Sequence, residues 1–263
     1  MTLLARLSLP LLLSSFLVQV APSQTGQSEP TATAAKSAPA APVKQPYFGS
    51  ASHLGLDRLL PSPPADNSPE AAAELAEVHR VERTRTLDQV HAAQYDDTHE
   101  DMFIYASILT NSQNKPAGET FSAVRLPITM ALSAHLRSDA GLIDNPLKGH
   151  FHRLRPYNFD KTLHPVCETN LEFSYPSGHS INGYLYAFAL AEMLPEQSAG
   201  ILARAQEYAQ HRVVCGVHYP SDIEASRRVA SFVFGYLLAQ PAFQRDLESA
   251  RREIRSNLGY RAE

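Results

Sequence analysis

The chain has 263 residues, 44% hydrophobic and 19% charged, with a formal net charge of −4 when its eleven histidines are neutral. That balance suits a folded globular protein with apolar material enough for one sizeable core. It excludes a polycationic nucleic-acid binder, so no nucleic-acid polymer is expected as a partner.

The N-terminus reads as a secretory signal peptide: Arg6 gives the positive start, Leu7 to Val20 is an uncharged apolar run, and small residues follow at Ala21 and Ser23. Cleavage is expected after Ser23, which places the mature protein in the periplasm or outside the cell. The apolar run is short of the roughly 20 residues that span a bilayer, so a membrane anchor is the weaker reading. Residues 24–46 are rich in Pro, Ala, Ser and Thr. Such a segment buries too little to offset its ordering entropy and is expected to be a disordered linker. The functional domain is then 47–263.

From there the pattern is helical. Ser68-Pro69-Glu70 has the N-cap, first-turn proline and acidic residue of a helix start. Further helices are expected at 119–135, 181–194, 199–210, 222–239 and, after Pro241, 243–256, mostly on i, i+3, i+4 apolar spacing. Period-two alternation is scarce, so the fold class is all-α, a single helical-bundle domain. The apolar stretch 229–240 is too short to span a membrane and reads as a core helix; no membrane span is expected in the mature chain.

Three clusters carry chemistry. In the first, Lys148 and Arg155 are seven residues apart, near one helical face, with Pro156 placing Arg155 at the helix end. In the second, Pro176-Ser177-Gly178-His179 feeds a helix start. Free backbone amides and the positive end of the helix dipole make an anion site there, and Gly178 permits close approach. In the third, Arg212 is followed by His218 and Asp222, four residues apart, so a carboxylate can fix the imidazole tautomer. Cys167 and Cys215 are the two cysteines. They could be buried thiols, but the export signal favours a disulfide. No cluster has convincing metal-ligand spacing, so neither metal nor cofactor is expected.

Lys-x6-Arg-Pro, then Pro-Ser-Gly-His, then Arg-x5-His-x3-Asp resembles the three-part signature of the type 2 phosphatidic acid phosphatase and vanadium haloperoxidase superfamily. Within it, the signal peptide and the Val-Cys-Gly-x-His run resemble the class A bacterial non-specific acid phosphatases, over roughly residues 53–255. The resemblance implies a metal-independent acid phosphatase acting on phosphomonoesters, nucleotides possible among them, and a homo-oligomer. It implies that His218 is the nucleophile, forming phosphohistidine, that Asp222 orients it, and that His179 is the general acid and then base. Lys148, Arg155, Arg212, Ser177 and Gly178 would bind phosphate. The family usually has Ser where this chain has His211, for which altered rate or pH dependence is expected. Substrate choice is expected from loops 110–119 and 157–174. A vanadium-dependent haloperoxidase using the same residues is the nearest rival, and a non-catalytic phosphate-binding protein on the same scaffold is the other. Membrane lipid phosphatases share the motifs but carry several transmembrane helices.

Overall fold

A computed structural model describes residues 45–49 and 54–261. The expected signal peptide and nearly all of the expected linker lie outside the described residues. Nine α-helices follow in order within them: α1 Leu56–Leu59, α2 Pro69–Thr84, α3 Leu87–Thr98, α4 Pro127–Phe151, α5 Pro156–Phe159, α6 Gly178–Met193, α7 Ser198–Val214, α8 Pro220–Leu238 and α9 Pro241–Asn257. Among the described residues the extended structure is one isolated antiparallel bridge, Thr110 with Pro116, so the all-α expectation holds. No helix among them is long and apolar enough to cross a membrane.

The bundle is built around α6. Ile181, Leu185, Tyr186, Ala187, Leu190 and Met193 put apolar side chains all round it, and α4, α7, α8 and α9 pack on its sides. A helix apolar on every face has its lowest free energy at the centre of a bundle. Gly183 lets α6 close on α7, because a Cβ there would meet the Tyr208 ring. A smaller second core, including Val78, Val81, Ala93, Val213, Val214 and Val217, joins α2 and α3 to the end of α7.

Several boundaries differ from the sequence reading. Residues 118–120 form a 3-10 turn, and the helix expected at 119–135 is α4, which starts at Pro127 and runs on through Pro146 to Phe151. Pro127 sits at the first helical turn, where its missing N–H is harmless, and Pro146 costs α4 one internal hydrogen bond without ending it. His152, in the left-handed conformation (φ 51°), ends α4. Arg155 is therefore the extended residue ahead of Pro156 and does not share a helical face with Lys148. Pro241 starts α9 and does not merely interrupt the chain. Helix α3 had no counterpart among the expected elements, although Thr86 and Gln89 form a capping box at its start.

Candidate active site

The three sequence clusters meet in one cavity of about 400 Å³. Each is delivered by a helix terminus. Ser177, as N-cap of α6, accepts from the Ser180 amide and hydroxyl and is itself fully buried, its own amide donating to Ser226. Gly178, the first residue of α6, borders the cavity, so of the two expected phosphate contacts Gly178 faces the space and Ser177 stands behind it. A Cβ on Gly178 would collide with the Asp144 carboxylate, which is why this position takes glycine. Gly216, at φ 78°, turns the chain sharply after α7 and delivers His218. The disulfide between Cys167 and Cys215 pins that turn to the loop ahead of α6, as expected from the two cysteines.

His218 is fully buried with its two ring nitrogens in different surroundings. Nδ1 donates to Asp222 Oδ2 at 3.1 Å, while Nε2 lies 3.3 Å from an Arg155 guanidinium N–H. Burial, then the charges of Arg155, Arg212 and Lys148, hold the imidazole well below the ordinary histidine range. Asp222, in the first turn of α8, also accepts from the Tyr219 amide (2.9 Å), the Ser174 hydroxyl (2.5 Å) and Arg153 (2.7 Å). Burial pushes its carboxyl up to about 6 against the pull of Arg153 and of these hydrogen bonds. The result is a neutral imidazole with its Nε2 lone pair directed at a cation.

Four cations border the same space: Arg137, Lys148, Arg155 and Arg212. Lys148 is held by Asp144 (2.9 Å) and Glu172 (2.8 Å), Arg155 lies 3.7 Å from Glu172, and Arg212 bonds Asp97 at 2.5 Å. Arg212 Nε is buried with no hydrogen-bond partner among the described residues. His179, on the first turn of α6, lies 3.1 Å from Glu100 Oε1 and 3.2 Å from the Asp97 carbonyl. Burial would raise the Glu100 carboxyl, but the hydrogen bond and charge of His179, with Arg137 and Arg212, outweigh it and bring it down to about 2.

Eight further side chains that sequence reasoning missed belong to the site: Glu74, Asp97, Glu100, Arg137, Asp144, Arg153, Glu172 and Ser174. Glu74 of α2 bonds Arg153 (2.6 Å) and the Ser221 amide (2.6 Å), and so braces the start of α8. The capping box at Thr86 was the one local signal that a helix carries Asp97 towards the site. Asp96, next to it, is buried between Arg204 (2.6 Å) and His211 (2.6 Å). His211 thus lies outside the cavity lining and holds α7 to α3 directly behind Arg212. Of the two loops expected to shape the pocket, 157–174 does so through Glu168, Asn170 and Glu172. Loop 110–119 does not; it is tied to Gln197 and Tyr260 away from the cavity. Among the described residues, the grouping at metal-ligand spacing is Asp97 with Cys167 and Cys215, whose sulfurs are joined in the disulfide and so are not thiolate ligands.

A family profile described as the PAP2 superfamily matches residues 123–246. The non-specific acid phosphatase of Providencia stuartii is 31% identical over 203 residues, which cover 74% of this chain and 79% of that protein. The non-specific acid phosphatase of Salmonella typhimurium is 39% identical over 111 residues, 41% of this chain and 44% of that one. Among solved structures, a bacterial vanadium-dependent iodoperoxidase shares the fold with a TM-score of 0.50 and 19% identity, over 70% of this chain and 53% of that one.

Proposed function

This chain belongs to the PAP2 superfamily, as a relative of its class A acid phosphatases, and from that premise we propose that it hydrolyses phosphate monoesters through a phosphohistidine on His218. The observation that carries the reading is the split environment of His218: Nδ1 on a buried carboxylate, Nε2 beside Arg155 in a cavity edged by four cations.

A phosphoryl group held by Lys148, Arg155, Arg212 and the α6 N-terminus would present phosphorus to Nε2. The Nε2 lone pair attacks, the P–O bond to the alcohol breaks, and His179 supplies the proton that the departing oxygen takes up. Water then attacks the phosphohistidine while His179 takes its proton, the N–P bond breaks, and inorganic phosphate leaves with His218 neutral again. Charge stabilisation comes from fixed guanidinium and ammonium groups, which supports turnover without a metal ion. The sequence of residues 1–23 and the disulfide support a periplasmic or secreted enzyme. The resemblance to class A phosphatases supports a homo-oligomer.

The test is hydrolysis of p-nitrophenyl phosphate by the oxidised mature chain, with EDTA and with vanadate as separate additions. Turnover that resists EDTA, falls with vanadate and drops by about 10³-fold or more in His218→Ala is expected, as for loss of a covalent nucleophile. An acid-labile phosphorylated species should be trapped by mass spectrometry in the wild-type chain and be absent from that variant. No turnover across about pH 4 to 8 would remove the phosphatase reading and leave phosphate binding without catalysis.

A further inference from the structure

Each of the four cations at the cavity has a carboxylate partner. Arg137 has Glu100 (3.3 Å), Lys148 has Asp144 (2.9 Å) and Glu172 (2.8 Å), Arg155 has Glu172 (3.7 Å), and Arg212 has Asp97. Three of these carboxylates are built into the fold, with side chains 20% (Glu100), 10% (Asp144) and 10% (Asp97) exposed. Glu172 differs. It lies outside any helix, in a run, 168–172, whose residues are all exposed, and its own side chain is 53% exposed. The two cations it touches are only 8% (Lys148) and 5% (Arg155) exposed, so its carboxylate stands on the groups that a phosphoryl oxygen needs. The hydrogen bond from Lys148, with the charges of Lys148 and Arg155, holds the Glu172 carboxyl below the ordinary glutamate range against partial burial. The contact is therefore one between full charges.

The backbone here is anchored without that contact. The Glu172 amide donates to Asn170 Oδ1 (3.0 Å), the Glu172 carbonyl accepts from Arg155 Nε (3.1 Å), and the Ser174 amide donates to the Arg153 carbonyl (2.8 Å). A turn about the side-chain torsions is therefore enough to carry the carboxylate out to water. Arg155 would keep its backbone acceptor and Lys148 its bond to Asp144, so both cations stay aimed while each gains a free donor. A carboxylate and a phosphoryl dianion repel each other at contact distance, which favours exchange over sharing of the two cations. We infer that Glu172 is a displaceable counter-ion, a carboxylate that holds the phosphoryl position on Lys148 and Arg155 until the phosphoryl oxygens of the substrate take it. This rests on the phosphate site of the reading above, and it makes Glu172 a determinant of how tightly that site takes phosphate. A site open for only a fraction of the time binds with its intrinsic dissociation constant divided by that fraction.

Isothermal titration with inorganic phosphate reads this without any need for turnover. It is run on the oxidised wild-type chain, on Glu172→Gln and on Glu172→Asp, at about pH 7 and one fixed ionic strength. Glu172→Gln removes the charge and is expected to bind phosphate about tenfold more tightly, as for a wild-type site covered about nine-tenths of the time. Glu172→Asp keeps the charge but, one methylene shorter, draws it back from Lys148, and should also bind more tightly than wild type, by a smaller factor. Both substitutions fall on an exposed side chain that anchors no backbone. Weaker binding by Glu172→Gln would make Glu172 a support for Lys148 and overturn the exchange, and unchanged binding overturns it too. A gain in Glu172→Gln that is missing from Glu172→Asp would assign the effect to charge at a distance, and the exchange falls again. Each of those results leaves the phosphatase reading standing. If none of the three proteins binds phosphate, the anion site itself is lost, and the phosphatase reading with it.

Discussion

The two histidines proposed for catalysis differ in what surrounds them, and that difference can be measured. His218 is enclosed and pressed by three cations, so its neutral form persists to pH values below the ordinary histidine range. Lowering the value of a base extends its competence towards acid, so the acid limb of kcat/KM should fall below about pH 6.5. Arg155→Met removes the cation beside Nε2 and should move that limb to higher pH, whatever it does to the maximum rate. A pH–rate profile of both proteins checks it, and an unmoved limb would mean that another group sets it. His179 lies at the cavity edge beside Glu100 and, as general acid, matters most for poor leaving groups. His179→Ala should therefore slow alkyl phosphates by about 10²–10³-fold more than p-nitrophenyl phosphate, whose phenolate leaves with little help. Steady-state rates on the two ester types decide this, and equal losses would argue against proton donation by His179.

At the scale of elements, the helices that matter most to the site divide into those that display the chemistry and those that brace it. Starts of α6 and α8 and the turn after α7 display it; α2 and α3 brace it. The Glu74–Arg153–Asp222 relay ties α2 to the carboxylate that orients His218. Arg153→Met would leave Asp222 buried without its cation and should cost about 3–5 kcal/mol, seen as a lower denaturation midpoint. A loss under 1 kcal/mol would show that Asp222 is stabilised by its neutral donors alone. This division also marks what could be read from the chain. Arg155, His179, His218 and Asp222 were legible because each lies in a short motif with a proline or glycine within two residues, whereas Lys148 and Arg212, inside α4 and α7, were legible only through their spacing from those motifs. Glu74, Asp97 and Glu100 were not, because the pairs they make span distances of 147, 115 and 82 residues. Helical periodicity records which face of an element is apolar, not which distant element supplies a counter-charge. The start of α4 was misplaced for a related reason: apolar residues before Pro127 belong to turns packed against the core, including buried Phe121 and Leu126.

Across the whole molecule, two cores meet at the site, the large one around α6 and the smaller one beneath the His218 turn. The disulfide joins the loop before α6 to the second of these, bridging 48 positions of sequence. Replacing both cysteines by serine should lower stability by roughly 2–4 kcal/mol, measured by urea unfolding against the oxidised chain. An unchanged midpoint would show that packing alone holds the loop. A different constraint comes from the paired rungs Asp96–His211 and Asp97–Arg212, in which neighbouring residues of α3 meet neighbouring residues of α7. Deleting one residue between Thr86 and Asp96 would rotate everything beyond it by about 100° around the helix axis. Both rungs would be lost together, and with them the counter-charge of Arg212. A deletion of the same size in the exposed turn around Gln113 and Asn114 would rotate nothing that faces the cavity. Length variation in this protein's descendants should therefore collect in that turn and be absent from α3, a pattern set by helix geometry before chemistry selects any side chain.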